Sequence, residues 1–333
     1  SGVTVFREIM VPFLEDDQIK KVIRFEAENH LHNHAIEDVV VNWIKTGQTR
    51  DGSRVMIFAS PKDELERRMG ILRKAGITPA SVDLDTSALY AALQTVKKFD
   101  DNPNCIVLDV GMNTTNLIMI VDGKPRVMRS FLLGSGGVES AAAAELGVSS
   151  AEGRERVLQS ASSTSEDLIV SASELDPPTH ESDKSLAHLQ KDAVEDRRQD
   201  FVRKLHREAI RSLLSVRADA PPEKILLLGG GALIPHLPDA LSESFGLPVE
   251  RVNLLDSVEC KDPGPAPDYT GAAIGPAIGC GLRMMGRRGL GVELLQDEFS
   301  PSNTFDVIKT PLCVAITLAF LTVLGVTYIE REK

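Results

Sequence analysis

The stretch IVLDVGMNTTNLIMIVDGKP, residues 106–125, contains two apolar runs separated by the turn Gly-Met-Asn-Thr-Thr. The runs predict two buried β-strands, because each is rich in Ile, Val and Leu and is bounded by turn residues. Asp109 lies at the end of the first strand, just before glycine and hydroxyl residues. A turn of this kind can present backbone N–H groups to an anion. It can equally be a plain hairpin whose threonines bond their own backbone.

A second glycine turn, Gly229-Gly230-Gly231, lies between the apolar run KILLL and the helical pattern of IPHLPDAL. Three glycines allow the backbone to approach a planar ring or a phosphate closely. A tight crossover from strand to helix would have the same composition. Taken alone, neither turn shows whether it binds a ligand or only reverses the chain.

Composition excludes several classes of function. The chain has 333 residues and a formal net charge of −11, which disfavours bulk nucleic-acid binding because that needs a basic face. Its four cysteines are scattered without a Cys-x-x-Cys spacing, and its seven histidines show no metal-binding motif. We therefore expect neither a disulfide framework nor a zinc site.

The order of apolar patterns predicts an α/β protein with more than one subdomain. Residues 1–100 follow the order β-α-β-β-α-β-α, with the last strand placed in ITPASVDL. Residues 101–289 contain both glycine turns and a stretch at 160–185 that is rich in Ser, Asp, Thr and Pro, which predicts a flexible insertion. The small residues of AAIGPAIGCGLRMMG predict a helix that packs closely on a neighbour.

The C-terminal part predicts a membrane anchor. Residues 310–329, TPLCVAITLAFLTVLGVTYI, contain no charge and are flanked by Lys309 and Glu330. This length matches the hydrocarbon core of a bilayer crossed by a helix. A buried C-terminal helix is the alternative, but a run that is apolar on all faces disfavours it. Residues 290–309 are the linker to this transmembrane helix.

Taken together, the motifs resemble the actin-like ATPase superfamily. The chain has, in order, the DVGMNTT hairpin, the turn GSGG with an alanine-rich helix, a long helix and the run ILLLGGGALIPHLPDAL. The resemblance is closest to the PilM family of type IV pilus assembly proteins, which are relatives of FtsA. It covers about residues 1–285, and VLDVGMNTTNLIMIVDGKPRVMRSFLLGSGG is its most specific part.

The resemblance implies an actin-like (ribonuclease H-like) two-lobed ATPase fold with a small inserted subdomain. It also implies ATP as a ligand, with magnesium held by Asp109 through water. The implied phosphate contacts are Asp109, Gly111, Asn113, Thr114 and Thr115. The implied adenosine contacts are Gly229, Gly230, Gly231 and Leu233, and the turn near the nucleotide contains Gly136 and Gly137.

Two family features are missing from the sequence. Members of this superfamily open with another phosphate hairpin, a DxG turn followed by lysine, which has no counterpart here. The family pattern Ala-Glu-x-x-Lys is also not reproduced in LGVSSAEGRERVL. In an alignment without a gap, Arg154 stands in place of the family's glutamate. After a shift of two residues, Glu155 stands in place of its lysine. The ribose contacts and half of the phosphate contacts therefore have no counterpart.

The segment GVELLQDEF, Gly291–Phe299, resembles the cytoplasmic tail of the membrane protein PilN, with Glu293 for its asparagine and Gln296 for its proline. The chain therefore resembles a PilM-like domain fused to a PilN-like tail and span, a layout also similar to that of GspL in type II secretion. We expect the segment to dock in cis or on a neighbouring copy, unless it is a solvated linker. The docking residues would be Val292, Leu294, Leu295 and Phe299.

Three functions follow from this resemblance. The first is a scaffold of type IV pilus or type II secretion assembly, tethered to the bacterial inner membrane, with residues 1–309 cytoplasmic and nucleotide as a conformational ligand. The second is an active ATPase or sugar kinase, and the third is a degenerate platform that binds no nucleotide. We expect no more than weak ATPase activity, since no catalytic base can be assigned. The expected partners are PilN-like and PilO-like proteins, the lipid bilayer and further copies of the chain.

Overall fold

The computed structural model describes most of the chain. The described residues are 3–31, 34–159, 181–214, 221–257, 270–286, 290–300, 313–314, 316–318, 320–322 and 331. The flexible insertion predicted at 160–185 lies outside them up to residue 180, and residues 181–185 already belong to a helix.

Three antiparallel strands form a small sheet near the N-terminus. They are β1 (Val5–Val11), β2 (Val39–Thr49) and β3 (Gly52–Pro61), in the order β1-β3-β2. Helix α1 (Asp16–Glu28) covers one face of this sheet, because Ile19, Ile23 and Ala27 recur at helical spacing and are buried there. The other face belongs to the main core of the molecule.

Two helices connect the small sheet to the rest of the fold. They are α2 (Lys62–Lys74) and α3 (Asp85–Thr95). The strand predicted between them, within residues 77–84, is wrong. Pro79 has no N–H to donate to a ladder, and the Val82 carbonyl accepts the Leu294 N–H at 2.9 Å without any neighbouring strand pairing.

A five-stranded sheet forms the centre of the molecule. Its strands are β4 (Cys105–Val110), β5 (Thr115–Val121), β6 (Lys124–Phe131), β7 (Lys224–Leu228) and β8 (Val249–Arg251). Their order is β6-β5-β4-β7-β8, with β4, β5 and β6 antiparallel and with β7 and β8 parallel to β4. The hairpin predicted at 106–125 is thus confirmed. Apart from Asp109, Thr115 and Asn116 next to the turn, its strands are mostly apolar because both faces of the sheet are covered.

Helices cover the two faces of the central sheet. On one face lie α4 (Gly136–Leu146), α5 (Ser150–Gln159), α6 (Glu181–Leu214) and α7 (Leu237–Phe245). On the other face lie α3 and, beyond the single turn α8 (Thr270–Ala273), helix α9 (Gly275–Met284). The core between the two sheets therefore contains α3.

The described residues contain two separate sheets, the five-stranded sheet and the smaller three-stranded one. Strands β1 to β3 pair only with one another among the described residues. The two-lobed form of the predicted fold stays a prediction.

Helices α3 and α9 pack unusually closely, as the small residues of α9 predicted. A Cβ atom on Gly279 would lie 1.8 Å from the Ala88 carbonyl oxygen, and one on Gly275 would lie 2.7 Å from a methyl group of Leu89. Side chains at these two positions would separate the helices. Glycine is therefore required for the contact.

The predicted transmembrane helix, 310–329, lies mostly outside the described residues. Residues 313–314, 316–318 and 320–322 of this run are described and are helical. Among the helices that the structure describes, none combines the length and the apolar character that crossing a bilayer requires.

The contact between α3 and α9 can be tested with two glycine substitutions. Gly279→Val is expected to lower the free energy of unfolding by about 2 to 3 kcal/mol, because the side chain collides with the α3 backbone. Gly281→Ala is the control, since no atom lies within 4 Å of its added methyl group. It should leave stability unchanged or raise it by less than about 1 kcal/mol. Urea denaturation measures both, and equal effects would contradict the close packing.

Candidate functional site

The turn between β4 and β5 is anchored by a chain of polar side chains across three strands. Asp109 lies opposite Asn116, which lies opposite Ser130. The Asn116 amide donates to Asp109 Oδ2 at 3.0 Å, and the Ser130 hydroxyl donates to Asn116 Oδ1 at 2.6 Å. Burial raises the pKa of Asp109, and the nearby Asp85 carboxylate raises it further, while the Asn116 hydrogen bond acts in the opposite direction.

These surroundings disfavour Asp109 as a direct ligand of magnesium, and the predicted contact through water stays a prediction. Asp109 Oδ2 already accepts a hydrogen bond from Asn116, and burial raises the pKa of the carboxyl group, which opposes the ionised form that a metal requires. In the part of the chain that the structure describes, no three metal-binding side chains come together. We derive no step through a metal ion.

Most polar groups of the predicted phosphate turn bond to the protein itself. The Gly111 N–H donates to the Thr114 carbonyl at 2.9 Å, and the Thr115 hydroxyl donates to the Leu133 carbonyl at 2.7 Å. Asn113 is exposed at the tip of the turn. Within the described residues, no hydrogen bond uses the N–H groups of Met112 and Asn113. The turn thus retains two backbone donors for an anion.

The turn at residues 134–137 closes against the same hairpin. The Ser135 N–H donates to the Gly111 carbonyl, and the Gly136 N–H donates to the Met112 carbonyl at 2.8 Å. Gly137 is the second residue of α4 and has open space where a side chain would be. The predicted residues Gly136 and Gly137 therefore do lie beside the phosphate-type turn.

The three glycines after β7 lie against the end of β4. Gly229 adopts a φ of +86°, and a Cβ atom there would lie 2.3 Å from the Val110 carbonyl oxygen and 2.7 Å from Asp109 Oδ1. Gly231 packs on the Val110 side chain, and Leu233 ends the short turn Gly230–Leu233 half-buried. The structure therefore brings the two predicted turns together.

Two charged residues that were not predicted as site residues lie beside the glycine turns. Glu139 is buried, and its Oε1 accepts a hydrogen bond from the Ser135 hydroxyl at 3.0 Å. Its Oε2 lies 3.9 Å from Arg154 Nε and has no hydrogen-bond partner among the described residues. The Arg154 guanidinium also faces Gly230. Arg154 could have been predicted as a site residue from its alignment with the helix that contacts adenosine in the family.

The segment predicted to bind a partner is docked in cis. We call residues 291–299 the tail segment. Val292, Leu294 and Leu295 are buried with 0%, 5% and 6% of their surfaces exposed, and Phe299 packs at the edge of the same core. The tail segment therefore lies between the small sheet and the helices of the central lobe and is no solvated linker.

One carboxylate fixes the tail segment in its groove. Glu293 Oε2 accepts the Ser81 hydroxyl at 2.6 Å, and Oε1 accepts the backbone N–H of Val82 at 2.9 Å. The Leu294 N–H donates to the Val82 carbonyl at 2.9 Å, and the Asn42 side chain donates to the Glu293 carbonyl at 2.9 Å. We call these residues the segment groove; they are Asn42, Ser81, Val82 and Arg283, which contact the tail segment, and Asp83, which contacts Arg283.

Arg283 joins the groove to α9. Its guanidinium contacts Asp83 Oδ2 at 3.0 Å and Glu293 Oε2 at 3.4 Å, and it also donates to the Val292 carbonyl. Burial raises the pKa of Asp83, although the Leu84 N–H and the Arg283 guanidinium act in the opposite direction. Two carboxylates therefore share one guanidinium at this point.

Two exposed ion pairs hold the end of the tail segment on the small subdomain. Glu298 lies 2.8 Å from Lys62 at the start of α2, and Asp297 lies 4.0 Å from Arg24 of α1. Exposed pairs of this kind contribute little to stability. The buried contacts of Glu293 and the leucines therefore dominate the docking. Sequence reasoning identified the apolar docking residues but missed Asn42, Ser81 and Arg283, because contacts between such distant residues leave no local pattern.

The geometry can now be compared with known proteins. Residues 1–156 match the family model described as type IV pilus assembly protein PilM. The resemblance to the PilM family is thereby confirmed over this range. No protein of curated function matches the chain.

Solved structures support the fold of the PilM-like chain. A PilM-PilN type IV pilus biogenesis complex is similar at 22% identity and a TM-score of 0.62, over 86% of this chain and 77% of that chain. MreB5 of Spiroplasma citri bound to ADP is similar at 14% identity and a TM-score of 0.43, over 68% and 66%. EutJ from Carboxydothermus hydrogenoformans follows at 14% identity and a TM-score of 0.38, over 63% and 60%. The first of these shows that the chain has an actin-like α/β fold.

The burial of Asp109 predicts a pH-dependent stability. Its pKa is raised in the folded protein, so the unfolded chain ionises first and stability falls as the pH rises above the ordinary value of 3.8. We therefore expect Asp109→Asn to be more stable than the wild type at pH 7, with a gain that grows as the pH rises above the ordinary pKa of 3.8. Urea denaturation at several pH values measures this, with the exposed Asp101→Asn as the control. A gain that does not change with pH would contradict the assignment.

Proposed function

We propose that the chain is an actin-like scaffold of a type IV pilus assembly machinery at the bacterial inner membrane. Its partners in this proposal are PilN-like and PilO-like assembly proteins. The match of residues 1–156 to the PilM family and the similarity to a PilM-PilN complex support it. The function is to hold and align other components, which requires binding surfaces and no chemical step.

The observation that carries this proposal is the segment groove. Buried hydrogen bonds from Ser81, Val82 and Asn42 and the charge of Arg283 converge on an extended segment. The carboxylates beside the glycine turns, by contrast, each accept a hydrogen bond within the protein, Asp109 from Asn116 and Glu139 from Ser135. The contacts of the segment groove therefore favour peptide binding over an active ATPase.

Nucleotide has a secondary role in this proposal. The free N–H groups of Met112 and Asn113 and the nearby Arg154 guanidinium suit a phosphate group. Gly229 and Gly231 pack directly on the end of β4, so Gly230, which faces the Arg154 guanidinium, is the glycine that would lie against a nucleotide. A bound nucleotide would act as a conformational ligand, and no turnover is required of it.

We further propose that residues 310–329 anchor the scaffold in the bilayer, with residues 1–309 cytoplasmic. The run carries no charge over a length that suits a bilayer. Its described residues are helical, and Val314, Ile316, Leu318, Phe320 and Leu321 are exposed apolar residues. By the fusion proposal, residues 291–329 together perform the role of a PilN-like tail and span.

Membrane extraction combined with affinity purification tests the scaffold proposal. The intact protein, produced in its own cells, should resist extraction with alkaline carbonate and should co-purify with inner-membrane pilus assembly proteins after detergent solubilisation. The double substitution Leu318→Arg with Leu321→Arg should release it, since each arginine costs about 3 kcal/mol at the centre of a bilayer. Arg331→Ala, outside the run, is the control.

Two results would contradict the proposal. One is wild-type protein that is extracted by carbonate as readily as the double variant. The other is a membrane-bound wild type with which no pilus assembly protein co-purifies. The chain would then be anchored in the membrane without being a pilus scaffold.

A further inference from the structure

Two guanidinium groups meet where the small sheet adjoins the central lobe. Arg7 lies on β1 and Arg129 lies on β6, and each of these strands is the edge of its own sheet. Arg129 Nη1 donates to the Phe6 carbonyl at 2.9 Å, and Arg7 Nη1 donates to the same oxygen at 3.2 Å. One shared acceptor therefore holds two positive charges side by side.

No carboxylate of the described chain balances these two charges. Among the residues that the structure describes, no acidic side chain pairs with Arg7 or Arg129, and the second acceptor of Arg129 is the uncharged Met128 carbonyl at 2.9 Å. Both side chains are half-buried. Burial lowers the pKa of Arg129, and the charge of Arg7 lowers it further. Two like charges that are partly removed from water repel each other, and a bound anion would relieve this repulsion.

Two other arginines between the same sheets do have a counter-charge. Glu8 Oε1 lies 3.0 Å from Arg54 Nε and 3.3 Å from Arg126 Nε. Successive side chains of a strand point to opposite faces, so Glu8 and Arg7 leave β1 in opposite directions. The chain thus supplies a carboxylate on one side of β1 and leaves the pair on the other side without one.

We propose that Arg7 and Arg129, the paired-arginine site, bind a phosphate group, either as the free anion or as a monoester. A phosphate monoester carries about two negative charges at neutral pH, which matches two guanidinium groups. Its oxygens also accept the forked N–H groups of arginine. A carboxylate would leave one positive charge unbalanced. Because the two arginines belong to different sheets, a bound phosphate would join the small sheet to the lobe.

Thermal unfolding of the full chain tests the proposal. The midpoint temperature is measured by circular dichroism in increasing inorganic phosphate, with sodium chloride added to keep the ionic strength constant. A ligand that binds the folded protein raises this temperature as its concentration increases. Phosphate also stabilises proteins in general, because it is excluded from their surfaces. The readout is therefore the difference between the wild type and matched variants.

The main variant is Arg7→Gln, which removes one charge of the pair. It should need at least about tenfold more phosphate than the wild type for the same rise, because a charge-assisted contact with the anion is lost. Arg129→Gln should behave alike. Arg50→Gln removes a positive charge from the exposed turn between β2 and β3 and should respond like the wild type. If Arg129→Gln does not fold, Arg7→Gln carries the test, since Arg7 donates to a carbonyl of its own strand.

Glycerol 3-phosphate distinguishes the two sources of the phosphate group. A rise that depends on Arg7 and occurs with this monoester as well as with inorganic phosphate assigns the site to a phosphate carried by a larger molecule, such as a lipid headgroup. A rise that depends on Arg7 and occurs only with inorganic phosphate assigns it to the free anion. Both results support the paired-arginine site.

Three results would overturn the proposal. The first is a wild type whose unfolding temperature does not respond to phosphate. The second is an equal response of the wild type and Arg7→Gln, as binding to the N–H groups of Met112 and Asn113 would produce. The third is an equal, Arg7-dependent rise with acetate, which would show that any anion suffices. None of these results changes the scaffold proposal, which membrane extraction and co-purification test separately.

Discussion

The carboxylate of Glu293 is the group on which the arrangement of the two sheets depends. It is bound by Ser81 and Val82 from the loop before α3 and by Arg283 from α9. Its own backbone carbonyl is bound by Asn42 of the small sheet. The donors to the carboxylate come from the loop before α3 and from α9, while the small sheet reaches the backbone of the same residue through Asn42. Glu293 therefore joins the small sheet to the lobe through two different groups, its carboxylate and its backbone carbonyl.

The glycine turns, unlike the tail segment, make most of their hydrogen bonds with one another. Their backbone groups are bonded mainly to one another, with Gly111 to Thr114, Ser135 to Gly111 and Gly136 to Met112. The turn of the hairpin at 106–125 thus serves mainly to hold three chain segments together. Under the proposed function, the N–H groups of Met112 and Asn113 would be its donors to an anion.

Local patterns predicted the elements of the central lobe well. Continuous apolar strands, the glycine turns and the small residues of α9 each have a local physical cause, and the structure contains all of them. The strand expected near Val82 failed because extended residues bond there to Leu294, more than two hundred residues away. Asn116 could have been predicted, because the register of the hairpin places it opposite Asp109. The roles of Asn42, Ser81 and Arg283 depend on tertiary contacts that no local pattern encodes.

Amide hydrogen exchange of the intact protein tests most directly the claim that the tail segment is a docked peptide. The N–H groups of Val82, Leu294 and Leu295 donate within the groove, to Glu293 Oε1, the Val82 carbonyl and Glu293 Oε1 respectively. The account predicts that they exchange far more slowly than the exposed residues 50–51 of the turn between β2 and β3, and that Glu293→Lys removes this protection while β4 remains protected. Exchange of these three amides at the rate of the exposed turn in the wild type would contradict the account.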